Sequence, residues 1–189
     1  MEGVIRTRAG YAGGAKLNPT YHDLGDHSES LQVDFDPVRI SFEELLELFW
    51  LAHDPTHKSL WTQYKTVLFF ADPEQERAAV ASRDRLEAAL GRPVRTEILP
   101  LAETAFYQAE DYHQKYRLRH ARDLMGEFRA MYPVEADFVR STAAARINGY
   151  LDGEGTLSQL ERELDSLGLS ATAAAGLREY VAKRTRRTA

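Results

Sequence analysis

The chain is 189 residues long, enough to bury one sizeable core with a small appendage. Apolar residues make up 43% and charged residues 28%, the balance of an ordinary globular domain, and no apolar run approaches the roughly 20 residues of a membrane-spanning helix. A formal net charge of −5 argues against a general nucleic-acid binder, and the lack of cysteine rules out disulfides, thiolate metal sites and a thiol nucleophile within these residues.

Residues 1–11 read as a strand carrying Val4, Ile5, Ala9 and Tyr11, stopped by Gly10, Gly13 and Gly14. A polar loop with Asn18-Pro19 leads to His27. Residues 29–35 alternate Leu31, Val33 and Phe35 against Ser30, Gln32 and Asp34, the pattern of a half-buried strand, and Asp36-Pro37 ends it. Ser41 with Glu44 is a capping box opening a helix to about residue 53, with Leu45, Leu46, Leu48 and Phe49 on its apolar side. Residues 64–70 read as a buried strand. Asp72, Pro73 and Gln75 then start a helix that Gly91 stops, and Val94, Thr96 and Ile98 form a short strand closed by Pro100.

From residue 108 onward the pattern is helical, with helices over 108–131, 137–151, 157–167 and 171–184. Thr156 with Gln159 caps the third, and Gly168 terminates it. The Tyr132-Pro133 junction divides an α/β body, 1–132, from a helical extension, 133–189. The expected class is α/β, an α+β roll of the split β-α-β ferredoxin-like kind, with a mixed sheet, flanking helices and a C-terminal helical extension. A split β-α-β body should begin strand, helix, strand; this one begins strand, strand, helix. Either a leading strand and helix are missing, which would leave an open strand edge, or the topology is a different, complete α/β arrangement.

Several short segments stand in one order along the chain: GYAGG at 10–14, NPTY at 18–21, HSE at 27–29, HDPT at 53–56, TQY at 62–64 and AEDYHQKY at 109–116. Together they make the chain similar to the A-type peptide methionine-S-sulfoxide reductases, over roughly residues 3–116. That resemblance implies reduction of methionine-S-sulfoxide to methionine. It also implies a cysteine or selenocysteine nucleophile in a Gly-Cys-Phe-Trp stretch, and Met1-Glu2-Gly3-Val4 begins just past the place of that stretch. The expectation is therefore an N-terminally truncated reductase that lacks its cysteine or selenocysteine stretch and is inactive as this chain stands.

Sulfoxide reduction needs a soft nucleophile at sulfur, a proton for the departing oxygen and a dry pocket for the S-methyl group. Glu29 heads a strand, where partial desolvation would let a carboxyl keep its proton; an ordinary solvated strand-end carboxylate has the same spacing. The resemblance assigns Glu29 the proton and assigns Tyr21 and Tyr64 the orientation of the oxygen, a task suited to a neutral donor on a stiff ring. On their residues alone, both tyrosines read equally as half-buried aromatics. Gly10, Tyr11, His27 and Trp61 are the expected substrate-binding residues. His53-Asp54 and Tyr112-His113 are expected to be structural, Trp50 to lie in the core, and Met125 and Met131 to fill helix faces.

The family's glycine-rich loop with an aspartate is replaced here by His57-Lys58-Ser59-Leu60-Trp61, so that aspartate has no counterpart. No bound cofactor or metal is expected. An external reductant, thioredoxin or another dithiol, is implied as partner, with methionine sulfoxide, free or in peptides, as substrate. Neither nucleic acid nor membrane is expected as a partner, and the lack of a signal segment points to the cytoplasm. The alternatives are a non-catalytic module that binds a sulfoxide or a protein loop, and an assembly role for the helical extension.

Overall fold

The computed structural model describes residues 2–57, 62–101 and 106–188, which form two compact units. One takes in Ala9–Glu110; the other joins Gly3–Arg8 to Asp111–Ala189. Strand β1 (Val4–Ala12) therefore contributes its first half to one unit and its second half to the other.

The strands β2 (Ser28–Phe35), β1 and β5 (Tyr107–Gln108) make a three-stranded sheet in the order β2-β1-β5. β1 and β5 run antiparallel, with Gly10 opposite Gln108 and Tyr11 opposite Tyr107. A second sheet pairs β3 (Val67–Phe70) with β4 (Glu97–Pro100) in parallel, and the connection between them is the helix α2 (Pro73–Leu90). The α/β class stands as expected, with the strands divided between two small sheets instead of one mixed sheet. β2 is an end strand, and Leu31, expected on its covered face, is 65% exposed.

The helix starts follow local chemistry. At α1 (Phe42–Leu51) the Ser41 hydroxyl accepts from the Glu44 N–H and the Glu44 carboxylate accepts from the Ser41 N–H, so two otherwise orphaned donors are satisfied reciprocally. At α2 the Asp72 carboxylate accepts from Glu74 and Gln75, and Gly91 closes the helix in the left-handed region at φ 65°. Trp50 reaches from α1 to Ser82 of α2, its indole N–H donating at 3.0 Å. His53 bonds the Phe49 carbonyl and the Thr96 hydroxyl, a structural arrangement as expected. The strand expected over residues 64–70 is shorter, because Thr62–Tyr64 is a single 3-10 turn and pairing with β4 begins at Val67.

In the second unit the long helix expected over 108–131 is broken. A 3-10 turn (Asp111–His113), α3 (Tyr116–His120) and α4 (Arg122–Met131) replace it. The break comes at Lys115, which is left-handed at φ 52°, a conformation that opposes helix for a side chain of its size. Its ammonium is buried and donates to the Thr7 carbonyl and hydroxyl. Burial, with Arg8 and Arg119 nearby, lowers the Lys115 amine to about 8. The helix expected over 137–151 is also two, α5 (Glu135–Arg140) and α6 (Thr142–Asp152), because extended Ser141 stops one and caps the other by accepting from the Ala144 N–H. α7 (Leu157–Glu163), with the Thr156–Gln159 capping box, and α8 (Ala171–Thr188) complete it. Gly168 lies between them in the left-handed region. The core of this unit is Leu118, Phe128, Phe138, Ile147, Leu160 and their neighbours. No helix among the described residues is long and apolar enough to cross a membrane.

Candidate active site

Three of the residues singled out in the sequence meet in the unit spanning Ala9–Glu110. Tyr64, on the 3-10 turn after the segment around His57, is hydrogen-bonded through its side chain to Tyr21 of the NPTY loop and lies within electrostatic reach of Glu29 on β2. The Tyr64 phenol is pushed above its ordinary range, first by the Tyr21 phenol, then by partial burial, the Glu29 charge and the hydrogen bond with Tyr21. It therefore remains a neutral hydrogen-bond donor throughout the physiological range. Glu29 is exposed, unlike the partly desolvated carboxyl expected, although Ser28 beside it at the head of β2 is buried. Its Oε1 accepts from the Gln63 side-chain amide at 2.6 Å. The result is an open cluster of one carboxyl, two phenols and one amide.

The loop that carries Tyr21 is held by polar bonds more than by packing. Glu110 accepts from the Tyr11 hydroxyl at 2.6 Å through one carboxylate oxygen and from the Tyr21 backbone N–H at 3.0 Å through the other. One side chain thus ties β1, the NPTY loop and the end of β5 together. Asp26 accepts from the Ala15 and Lys16 backbone N–H groups, and those bonds hold its carboxyl below the usual range. His27 is fully buried: its Nδ1 accepts from the Gly14 N–H at 3.2 Å and its Nε2 donates to the Lys16 carbonyl at 2.8 Å. A Cβ on Gly14 would stand 2.5 Å from Asp26 Oδ1 and 2.6 Å from the His27 nitrogen, so the turn closes only around glycine.

The other expected substrate contacts lie at the glycine turn, in the small core and in the β1–β5 pairing. His27 shapes the glycine turn and has no ring nitrogen to offer a ligand, because both are bonded to backbone. Tyr11 is 2% exposed with its hydroxyl on Glu110, so it belongs to the small core with Leu24 and Ala109. Gly10 sits in the β1–β5 pairing, where a Cβ would meet the Phe106 ring and the Tyr107 carbonyl. Trp61 lies outside the described residues. Asp54 is committed to its own turn, accepting from the Thr56 N–H and hydroxyl, which lower its carboxyl below the usual range. Glu110 and Gln63 were not singled out by the sequence: each has its signal in a short motif, AED and TQY, whose tyrosines and histidine drew the attention. Among the described residues no three His, Asp or Glu side chains gather into a metal site.

The family model described as peptide methionine sulfoxide reductase matches residues 1–145. The chain belongs to that family. A peptide methionine sulfoxide reductase of Drosophila melanogaster is 40% identical over 172 residues, covering 90% of this chain and 68% of its own. The A5 enzyme of Oryza sativa subsp. japonica is 36% identical over 176 residues, covering 88% and 68%. Both matches extend well beyond residue 116. The chain thus spans about two thirds of the length of these curated relatives. Among solved structures, methionine sulfoxide reductase A of Corynebacterium diphtheriae matches with a TM-score of 0.53 and 34% identity, covering 64% of this chain and 65% of that one. The reduced form of Mxr1 from Saccharomyces cerevisiae matches with a TM-score of 0.58 and 27% identity, covering 64% and 74%. The family is named for the reaction expected from the sequence, the reduction of methionine sulfoxide.

Proposed function

We propose that this chain supplies the oxygen-binding and proton-donating part of a methionine-S-sulfoxide reductase. The reading is supported chiefly by one observation: Tyr21, Tyr64 and Glu29 come from three separate segments and meet in one cluster. In the proposed reaction the two phenols donate to the sulfoxide oxygen, and Glu29 delivers its proton there as a thiolate or selenolate attacks sulfur. The S–O bond breaks, the thioether leaves as methionine and the attacking atom becomes a sulfenic or selenenic acid. Two external thiols then return it to the reduced form, giving a disulfide and water. A thioredoxin-like dithiol is the proposed reductant, free or peptide-bound methionine sulfoxide the proposed substrate, and the cytoplasm the proposed location. Without cysteine, the 189 residues need the nucleophile from a segment joined to them.

The test joins a Gly-Cys-Phe-Trp-bearing segment to residue 1 and follows reduction of a methionine sulfoxide peptide with dithiothreitol. The extended protein should turn over, and the 189-residue chain should not. Replacing Glu29 by Gln in the extended protein should lower kcat by about 10²–10⁴, the usual contribution of a positioned acid. An unchanged rate would remove Glu29 from the chemistry. Sulfoxide binding without turnover in the extended protein would favour a non-catalytic binding module.

A further inference from the structure

The cluster contains a side chain with no assigned task, and its geometry gives it one. We infer that Gln63 is a positioning residue for Glu29, selecting which carboxyl oxygen carries the proton toward a bound sulfoxide; this rests on the reading above.

Gln63 and Glu29 are 34 residues apart, yet the Gln63 Nε2 lies 2.6 Å from Glu29 Oε1. A primary amide nitrogen only donates, so Oε1 is an acceptor in this pair. An oxygen already receiving a short N–H bond is a poor seat for a proton, and a neutral Glu29 therefore carries its proton on Oε2. Gln63 in this way fixes a donor that would otherwise alternate between two equivalent atoms. After transfer, the same N–H stabilises the carboxylate left behind, which favours giving the proton away.

The setting agrees with this role. Gln63 and Tyr64 are consecutive residues of one 3-10 turn, so a single short element aims an amide at the acid and a phenol at the oxygen site. Tyr64, from the same turn, lies within electrostatic reach of Glu29, and its raised phenol stays a neutral donor there. Lys65, next along the chain, is paired with Glu97 at 3.2 Å, and its charge is occupied there. His27, two residues before Glu29, is spent on backbone bonds. Gln63 is the neighbour whose donor bond falls on the Glu29 carboxylate itself.

A simple latch between the turn and β2 would show the same hydrogen bond, and a pH profile separates the two. Binding of N-acetylmethionine sulfoxide to the 189-residue chain is followed by NMR from about pH 4 to about pH 9. The comparison is among wild type, Gln63→Met, which keeps length and loses the donor, and Gln63→Glu, which keeps size and adds a competing carboxyl. Binding that depends on the Glu29 proton should fade as pH rises, and the midpoint of that fade should move up by about one pH unit in Gln63→Met. It should move further in the same direction in Gln63→Glu, because two adjacent carboxyls share a proton. If Gln63→Met does not fold, as judged by its amide spectrum, the Gln63→Glu profile decides. Weaker binding with an unmoved midpoint identifies a latch and overturns the inference. No binding to wild type at any pH overturns the oxygen-site reading, and the inference falls with it.

Discussion

The two units of the chain are held in different ways. The helical unit is centred on large apolar side chains, with Leu118, Phe128, Phe138, Ile147, Leu160, Leu167 and Leu177 none more than 2% exposed. Around the candidate site in the other unit, the buried apolar cluster among the described residues is Tyr11, Leu24 and Ala109, and the shape is set by carboxylates and an imidazole bonded to backbone. Apolar burial is non-directional and tolerates sliding, whereas a hydrogen bond fixes a distance and an angle. The site proposed here, which would hold an oxygen atom between three donors, gains from the second kind of support.

The largest expected effect tests the apolar side of the comparison. Phe128→Ala should cost about 3–5 kcal/mol, measured by urea unfolding, since the ring is fully buried against Phe138 and Tyr132. Amide exchange should accelerate in α4 and α6 while the amides of Tyr11 and Tyr21 keep their protection. Equal loss in both units would break the comparison.

Lys115 places a buried cation within the helical unit and should give the next effect. Its folded value of about 8 lies below the ordinary 10.5, so between those pH values the unfolded chain binds more protons than the folded one. Stability should therefore rise with pH across that window, by about 3 kcal/mol at most. Urea unfolding at either end of the window checks this, and Lys115→Met should flatten the rise.

The smallest effect sharpens the polar side. Glu110→Ala removes the bonds that Glu110 accepts from the Tyr11 hydroxyl and the Tyr21 N–H, at a cost of about 1–3 kcal/mol. Glu110→Gln should recover most of it, because an amide can accept from Tyr21 while donating to the Tyr11 oxygen. Exchange of the Tyr21 amide reads the difference directly.

Elements with their own local punctuation were legible from residues alone. Ser41 with Glu44, Asp72 before Pro73, Thr156 with Gln159, Gly91 and Gly168 all end or begin helices as expected, because the groups that satisfy the helix ends lie within a few residues. The breaks at Lys115 and Ser141 are of two kinds. Ser141 carries a readable cap signal, set within an apolar periodicity that continues past it. Lys115 had none: its left-handed backbone is held by bonds to Thr7, 108 residues away. The site divides likewise. Tyr21, Glu29 and Tyr64 were found through short motifs, whereas the tasks of Glu110 and Gln63 arise from partners 89 and 34 residues distant.

Gly10 has a consequence for how this chain can diverge. An added Cβ would stand 2.3 Å from the Phe106 ring and 2.5 Å from the Tyr107 carbonyl, and the second of these is backbone that no rotamer can move aside. Drift at this position is blocked at its first step, since even alanine forces β1 and β5 apart. Lineages that alter the neighbouring surfaces must do so around an immovable point.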